Sequence, residues 1–145
     1  MKPRRNPKLL GDQAECAFLA QCLQRGLIAS KPVWGQQAYD FVIDVGKANH
    51  RGHRGGGGRL WRVQVKSVGT MRQRWYAVST HGSRNRVYGP DEFDFFAAWV
   101  APLNFWYVIP LRAVLPARSA WLFPHVEGSW GRYEKFREAW HLLTR

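Results

Sequence analysis

Two apolar stretches of the sequence carry polar side chains at spacings that suit chemistry on a phosphate. One reads Tyr-Asp-Phe-Val-Ile-Asp at residues 39–44, and the other reads Val-Gln-Val-Lys at residues 63–66. If both are strands, alternate residues point to one face of a sheet, so Gln64 and Lys66 share a face. An antiparallel pairing that brings Asp40 near Lys66 sets a carboxylate, an amide and an ammonium together on that face.

This set of groups supplies much of what hydrolysis of a phosphodiester requires. A divalent metal must offset the phosphate charge, and a water molecule must be oriented and deprotonated. Asp40 and Gln64 offer oxygen ligands of the kind that Mg²⁺ or Mn²⁺ prefers, and Lys66 would steer or deprotonate the water. Asp44 lies about 13 Å along the strand from Asp40, too far to hold the same metal, so we interpret it as a strand-end residue. Without further context, a Gln-x-Lys triplet on a half-exposed strand is more often simple solvated alternation.

A third acidic candidate, Glu15, lies in the first predicted helix. Residues 8–25 have apolar residues at helical spacing, and a glycine follows them. Glu15 falls on the same stripe as Leu19, Cys22 and Leu23, which tilts its carboxylate toward the apolar face of the helix. A glutamate in that position is more often a boundary residue whose head group reaches solvent.

The composition predicts a folded domain with a polyanionic partner. The chain has 145 residues, 46% of them hydrophobic, which excludes general disorder and is typical of one domain, residues 1–145. Lys and Arg outnumber Asp and Glu by 22 to 10. The resulting net charge of +12 favours nucleic acid over an acidic membrane as the partner.

Three sequence features predict a cytoplasmic location. No apolar run approaches the roughly 18 residues of a membrane span, so no membrane partner is expected. Residues 1–7 read as a basic tail without the apolar core of a signal peptide. The two cysteines, Cys16 and Cys22, fall on different faces of one predicted helix and are expected to be buried, reduced thiols.

The remaining pattern predicts an α/β domain with the order helix, several strands, helix. Residues 46–58 are rich in Gly, Arg and His and are expected to form a flexible loop. The apolar segment 95–99 is expected in the core or at an interface between subunits. Residues 130–143 carry aromatic and apolar residues at spacings of three and four, which predicts a closing amphipathic helix. The predicted strands cover residues 27–34, 39–45, 60–67, 75–80, 93–100 and 105–109.

In their order and spacing, these segments resemble the PD-(D/E)XK nuclease superfamily. The resemblance rests on Gly-Asp-Gln-Ala-Glu at residues 11–15, Tyr-Asp-Phe-Val-Ile at 39–43 and Arg-Val-Gln-Val-Lys-Ser at 62–67, and it extends through 91–94 and 105–110. It is most similar to the small endonuclease branch, which includes intron-encoded homing endonucleases and is related to archaeal Holliday-junction resolvases. The resemblance implies an α/β restriction-endonuclease-like core, a mixed central β-sheet flanked by helices, and Mg²⁺-dependent cleavage of DNA.

The resemblance also implies a role for each candidate residue. Asp40 matches the metal-binding aspartate, Lys66 matches the catalytic lysine, and Glu15 matches the acidic residue on the first helix. Gln64 stands where the superfamily usually has Glu or Asp, so the implied ligand set is Asp40, Gln64 and Glu15. A neutral amide brings no charge, and we expect it to lower the affinity for Mg²⁺. The alternative is a catalytically weak or inactive DNA-binding module on a degenerate nuclease fold.

Arginines that alternate with aromatic residues mark the predicted DNA contacts. They suit phosphate binding, and nearby tryptophans suit base stacking, although Trp61 and Trp75 are about as often core residues in such a pattern. Arg62 has the same parity as Gln64 and Lys66, so it is expected to face the same way. The predicted DNA-binding residues are Arg51, Arg54, Arg59, Arg62, Arg72 and Arg74.

The histidines, the subunit number and the substrate complete the predictions. His50, His53 and His81 lack a preorganised frame and are interpreted as residues that do not bind metal. Cutting both strands of a duplex usually calls for two active sites, which predicts a homodimer or a higher homo-oligomer. Homing-type enzymes read a long site, junction-resolving enzymes read junction shape, and restriction-like enzymes read a short palindrome. All three share this core, so all three substrates are consistent with the sequence. A third interpretation, a basic protein that binds another protein or an RNA, rests only on the eight tryptophans.

Overall fold

A computed structural model describes residues 6–46, 58–128 and 131–145 of the chain, so the loop predicted for residues 46–58 lies almost entirely outside the described residues. The strands are β1 (Ile28–Ser30), β2 (Phe41–Val45), β3 (Arg59–Val68), β4 (Tyr76–Ser79), β5 (Phe95–Val100), β6 (Phe105–Pro110) and β7 (Ser119–Leu122), and the helices are α1 (Pro7–Gln24) and α2 (Leu111–Val114). Five strands form one sheet in the order β1-β2-β3-β5-β6. Within it β3 and β5 are parallel, whereas the other neighbours are antiparallel. The predicted fold class, a mixed central sheet flanked by helices, is confirmed.

Helix α1 begins and ends where its flanking residues dictate. The Asn6 side chain accepts hydrogen bonds from the backbone N–H groups of Lys8 and Leu9, which have no partner inside the helix. At the other end Gly26 has a φ of +67°, a left-handed conformation that glycine adopts without strain. The helix predicted for residues 8–25 is therefore present, within a residue at each end.

The stripe of α1 that packs on the sheet consists of Ala14, Phe18 and Cys22. The prediction that Leu19 and Leu23 share the apolar face was wrong, since both are exposed, Leu23 by 82%. One step along a helix is a rotation of about 100°, so a stripe centred on Phe18 turns the next residue toward solvent. Cys16 is exposed as well, contrary to the expectation that both thiols are buried.

The register of β2 against β3 differs by two residues from the expected one. Phe41 lies opposite Val63, so continuing the pairing places Asp40 opposite Gln64 and not opposite Lys66. The Asp40 backbone N–H accordingly donates to the Val63 carbonyl, at 2.9 Å. A two-residue shift keeps every side chain on its predicted face, because side chains alternate with a period of two. The long glycine-rich connection between the strands gives no turn type from which the register could be predicted.

The sheet has an apolar cluster on each face, and β5 contributes to both. Phe95 and Ala97 point into the cluster around Phe18, whereas Phe96 and Ala98 point into the cluster around Tyr107. Because β5 lies between β3 and β6 and is buried along nearly its whole length, segment 95–99 belongs to the core.

The closing helix predicted for residues 130–143 is not formed. The described part of this segment has two short 3₁₀ turns, Glu134–Phe136 and Trp140–Leu143, joined through Glu138 with a φ of +50°. The Glu138 carboxylate accepts hydrogen bonds from the backbone N–H of Trp106 at 2.8 Å and from the Trp140 indole at 2.7 Å. The bond from Trp106 ties Glu138 to β6, so tertiary contact overrides the helical pattern.

A second, two-stranded sheet pairs β4 antiparallel with β7. No strand was expected at 119–122, because Ser-Ala-Trp-Leu is too short to give a clear alternating signal. Its burial alternates strictly, with Ala120 and Leu122 inward and Ser119 and Trp121 outward. Within the part of the chain that the structure describes, no helix is long and apolar enough to cross a membrane.

Candidate active site

Asp40, Gln64 and Lys66 come together at one end of the sheet. Asp40 immediately precedes β2, and the other two lie on β3 with one residue between them. The Asp40 Oδ2 atom accepts a hydrogen bond of 2.8 Å from the backbone N–H of Val65, which fixes the carboxylate beside β3. Asp40 and Gln64 line a cleft of about 370 Å³.

Burial dominates the electrostatics of Asp40. Loss of solvent raises the pKa of this carboxyl group, and the nearby Glu15 carboxylate acts in the same direction. The Val65 N–H and the ammonium groups of Lys31 and Lys66 oppose that rise. The charged form of Asp40 is therefore under-compensated, and a cation beside it would be stabilised.

Burial also disfavours the charged form of Lys66. Burial lowers the pKa of its ammonium group, and the Asp40 carboxylate only partly opposes that effect. Its Nζ atom donates to the backbone oxygen of His81 at 3.3 Å and lies 5.9 Å from the centre of the Tyr88 ring. A lysine held in this way reaches its neutral form at a lower pH than a free lysine, which suits proton transfer.

Glu15 reaches the site from α1 and forms an ion pair there with Lys31. The Lys31 Nζ atom also lies 5.0 Å from the centre of the Phe41 ring. Lys31 was not a predicted site residue, and its position follows only from the pairing of β1 beside β2, which the sequence does not specify. The strand predicted for residues 27–34 is much shorter than expected, because Pro32 has no N–H group to continue the ladder.

The oxygen donors near Asp40 fit a hard divalent cation. Glu15 and Asp40 are close enough to influence each other, and Gln64 adds an amide group that now donates to the Val65 carbonyl at 3.3 Å. Carboxylate and amide oxygens suit Mg²⁺ or Mn²⁺ better than zinc. Among the described residues no cluster of three or more His, Cys, Asp and Glu side chains forms a metal cage, so a cation here would keep water or phosphate oxygens as ligands. The His81 ring contacts the backbone oxygen of Gly82 instead.

Arg62, one of the predicted DNA-binding residues, has a partner within the protein. Its guanidinium group pairs with the Asp94 carboxylate through two contacts of 3.2 Å, and its backbone N–H donates to the same carboxylate at 2.7 Å. A third nitrogen donates to the backbone oxygens of Asp91 and Glu92. Arg62 thus ties the segment before β5 to β3, and its donors are used inside the protein. Asp94 is 32 residues away along the chain, so no local pattern indicates this pairing.

The other predicted DNA-binding arginines remain at the surface where the structure describes them. Arg59 lies with its guanidinium 5.1 Å from the centre of the Trp61 ring, and Arg72 and Arg74 are exposed. Arg51 and Arg54, together with His50 and His53, lie outside the described residues. Of the two tryptophans, Trp61 packs edge-on against Phe95, and Trp75 stacks on Trp121 with ring centres 5.0 Å apart.

The opposite wall of the cleft comes from the segment between β4 and β5. Arg86 and Glu92 form a bidentate ion pair with two contacts of 2.9 Å, and both line the cleft with Tyr88. None of these residues was predicted as part of the site, because a polar loop carries no periodic signal. Because Arg86 and Glu92 neutralise each other, Asp40 remains as the uncompensated charge among the residues that line the cleft.

Replacing Asp40 with asparagine is expected to stabilise the fold at neutral pH. Because the pKa of Asp40 is raised by folding, its ionisation lowers stability as pH rises from about 3.9, the usual carboxyl value, through the raised value. The gain in Asp40→Asn should therefore be complete above that window and absent below it. Thermal unfolding without divalent metal, from about pH 3 to pH 8, measures the difference. A gain of equal size at both ends would contradict an origin in ionisation.

Both the sequence and the fold of the chain are similar to those of known proteins. The chain belongs to the PD-(D/E)XK endonuclease family, whose sequence model matches residues 5–122. Among solved structures it is similar to I-Ssp6803I, a bacterial homing endonuclease, with 31% sequence identity and a TM-score of 0.76. That similarity covers 96% of this chain and 91% of the other. No curated protein matches the chain in sequence.

Proposed function

We propose that this protein is a metal-dependent endonuclease that hydrolyses phosphodiester bonds in DNA, with residues 1–145 acting as one nuclease domain. The observation that carries the proposal is the arrangement of Asp40 and Gln64 along one cleft, with Lys66 two residues beyond Gln64 on the same face of β3. Glu15 lies beside Asp40. The family to which the chain belongs supports nuclease chemistry, and the oxygen donors support Mg²⁺ or Mn²⁺ as the cofactor.

Each residue has a distinct part in the proposed reaction. A divalent cation at Asp40, Gln64 and Glu15 would offset charge on the phosphate and lower the pKa of a bound water. Asp40 holds its orientation through the Val65 N–H, so its carboxylate does not need to reorganise during the reaction. Lys66 would take a proton from the attacking water, or donate one toward the developing charge on phosphate.

DNA would be held mainly through phosphate contacts. Arg59, Arg72 and Arg74 are exposed and carry part of the net charge of +12, and Arg51 and Arg54 would add charge from the connection between β2 and β3. We leave Arg62 out of this set because its donors already bind Asp94 and the neighbouring backbone. Affinity is therefore expected to fall steeply as salt rises.

A homing-type substrate, a long specific duplex site, is the form of this activity that the structural neighbour favours. I-Ssp6803I is a homing endonuclease, and the similarity to it extends over nearly the whole chain. Cleavage of both strands would require two copies of the site, so we propose that a homodimer or a higher homo-oligomer acts on the duplex. A junction-resolving activity is the second form, and it shares the same catalytic residues.

The test is cleavage of defined DNA by the purified protein. Supercoiled plasmid, linear duplex, four-way junction and flap substrates are incubated with Mg²⁺, with Mn²⁺ or with a chelator. Cleavage that needs a divalent ion and that produces defined ends supports the proposal. The substrate that is cut fastest separates a homing-type from a junction-resolving enzyme. Cleavage that continues in the chelator would overturn the metal requirement.

A second candidate function is DNA binding without cleavage. Two observations favour it: Gln64 brings no charge to the site, and Lys31 already neutralises the Glu15 carboxylate. A protein of this kind would bind DNA in a salt-sensitive way and cut none of the substrates above in either metal.

Replacing Gln64 with glutamate is expected to strengthen Mg²⁺ binding by about tenfold, because a carboxylate adds a negative charge at the cation. Isothermal titration calorimetry with Mg²⁺ and with Mn²⁺ measures this directly, without DNA. Gln24→Glu makes the same charge change at the exposed end of α1 and is the matched control, with an affinity expected to equal that of the unchanged protein. An equal gain in both variants would show that Gln64 is not a metal ligand.

A further inference from the structure

The connection between β1 and β2 presents two large apolar side chains to solvent beside the candidate active site. Val33 is 85% exposed and Trp34 is 77% exposed. Burying a tryptophan is strongly favourable, so a side chain left this far in water has no packing role in the described fold. The connection ends at Asp40, which ties it directly to the site.

Trp34 also lines a groove that reaches the same carboxylate. This groove has a volume of about 180 Å³, and its walls include Lys31, Pro32, Trp34, Gln37, Tyr39 and Asp40. It shares Gly35, Gln37 and Asp40 with the larger cleft that contains Gln64. A substrate whose phosphate lies at Asp40 would therefore have its neighbouring groups within the groove that Trp34 borders.

We propose that Trp34 stacks on a nucleobase next to the phosphate that is cleaved, an inference that rests on the proposed function. An indole ring offers a flat apolar face that any base can cover, while Lys31 supplies positive charge in the same groove. The net charge of +12 favours a nucleic acid as the occupant. A protein partner seated on Trp34 would also cover the groove leading to Asp40 and would block the substrate.

Stacking on a base within a duplex has a consequence for the DNA. Both faces of each base are already covered by its neighbours, so Trp34 can reach a base face only at a step that is opened or kinked. The bound duplex is therefore unstacked at one step beside the cleaved bond. That opening distinguishes the inference from simple contact of the indole ring with the sugar-phosphate backbone.

The test compares Trp34→Ala, Trp34→Phe and Leu23→Ala. Leu23 is an equally exposed apolar residue on α1 and does not line either cleft, so its truncation is the matched control. Affinity for duplex DNA is measured by fluorescence anisotropy at fixed salt with Ca²⁺ in place of Mg²⁺. Trp34→Ala is expected to bind about tenfold more weakly, and the other two within about twofold of the unchanged protein. Permanganate oxidation of unstacked thymines should mark one step in the complex, and lose that mark in Trp34→Ala.

The outcomes separate this inference from the proposed function. DNA cleavage by the unchanged protein, with equal affinity and an equal permanganate pattern in Trp34→Ala, overturns the stacking inference alone. DNA binding that depends on Trp34 in a protein that cuts nothing overturns the endonuclease and leaves the stacking contact in place. A change in sedimentation of Trp34→Ala without DNA would assign the residue to contact with a second copy of the chain, and would overturn the inference. Absence of DNA binding by the unchanged protein overturns both proposals.

Discussion

Replacing Asp40 with asparagine is expected to slow DNA cleavage by at least about 1000-fold, which corresponds to about 4 kcal/mol of transition-state stabilisation. The asparagine oxygen can still accept the hydrogen bond from the Val65 N–H, so the local backbone is retained. What is lost is the negative charge that would hold a cation at the phosphate. Single-turnover cleavage of plasmid in Mg²⁺ measures the rate, and DNA affinity should stay within a few-fold.

Asp44→Asn is the control for this experiment. Asp44 has the same chemistry and lies on β2, but its strand position places it opposite Leu60, away from Gln64. We expect its cleavage rate to stay within about threefold of the unchanged protein. Equal losses in the two variants would show that the effect reflects general charge near the sheet and not a metal-binding role of Asp40.

Replacing Lys66 with methionine is expected to slow cleavage by about 100-fold to 10,000-fold, the range typical of a lost proton-transfer group. Methionine fills a similar volume without a charge, so the fold should be at least as stable, because burial already disfavours the ammonium group and lowers its pKa. A loss of activity could then not be attributed to unfolding. Thermal unfolding and single-turnover cleavage of the same preparation measure both effects.

Arginine at this position separates the two chemical roles of Lys66. Lys66→Arg keeps a positive charge but cannot give up a proton in the accessible pH range. Recovery of most of the rate would assign Lys66 to stabilisation of negative charge, whereas continued loss would assign it to proton transfer. Lys8→Met is the control: it removes a lysine at the exposed start of α1, distant in sequence from Lys66, and should leave the cleavage rate unchanged. Full activity in Lys66→Met would exclude both roles.

The elements with strong local signals were predictable, and the long-range pairings were not. Helix α1 has its capping residue and its terminal glycine in the sequence, and β3 has clear alternation, so both were placed closely. The register of Asp40 against Gln64 depends on a connection that carries no turn signal, and it was predicted two residues away.

The arrangement of the candidate site residues follows the same rule. Gln64 and Lys66 are two apart on one strand, which fixes their common face without knowledge of the rest of the fold. Arg62 shares that parity, yet its role is decided by Asp94, a residue distant in sequence. Lys31 likewise meets Glu15 only because β1 pairs beside β2. Partners that meet only through folding leave no local pattern to detect.

The irregular C-terminal segment also protects one edge of the sheet against aggregation. Strand β6 is the outer strand of the sheet, and the unoccupied side of such a strand is a template on which another chain can add. The backbone of Arg137 forms an antiparallel β-bridge with Tyr107, and the Glu138 N–H donates to the Trp106 carbonyl at 2.7 Å. This side of β6 is therefore capped from within the same molecule. The family match ends at residue 122, before this cap begins. A chain trimmed to the matched region would keep its proposed catalytic residues but would expose the unpaired edge of β6. Such a chain is expected to aggregate through that edge.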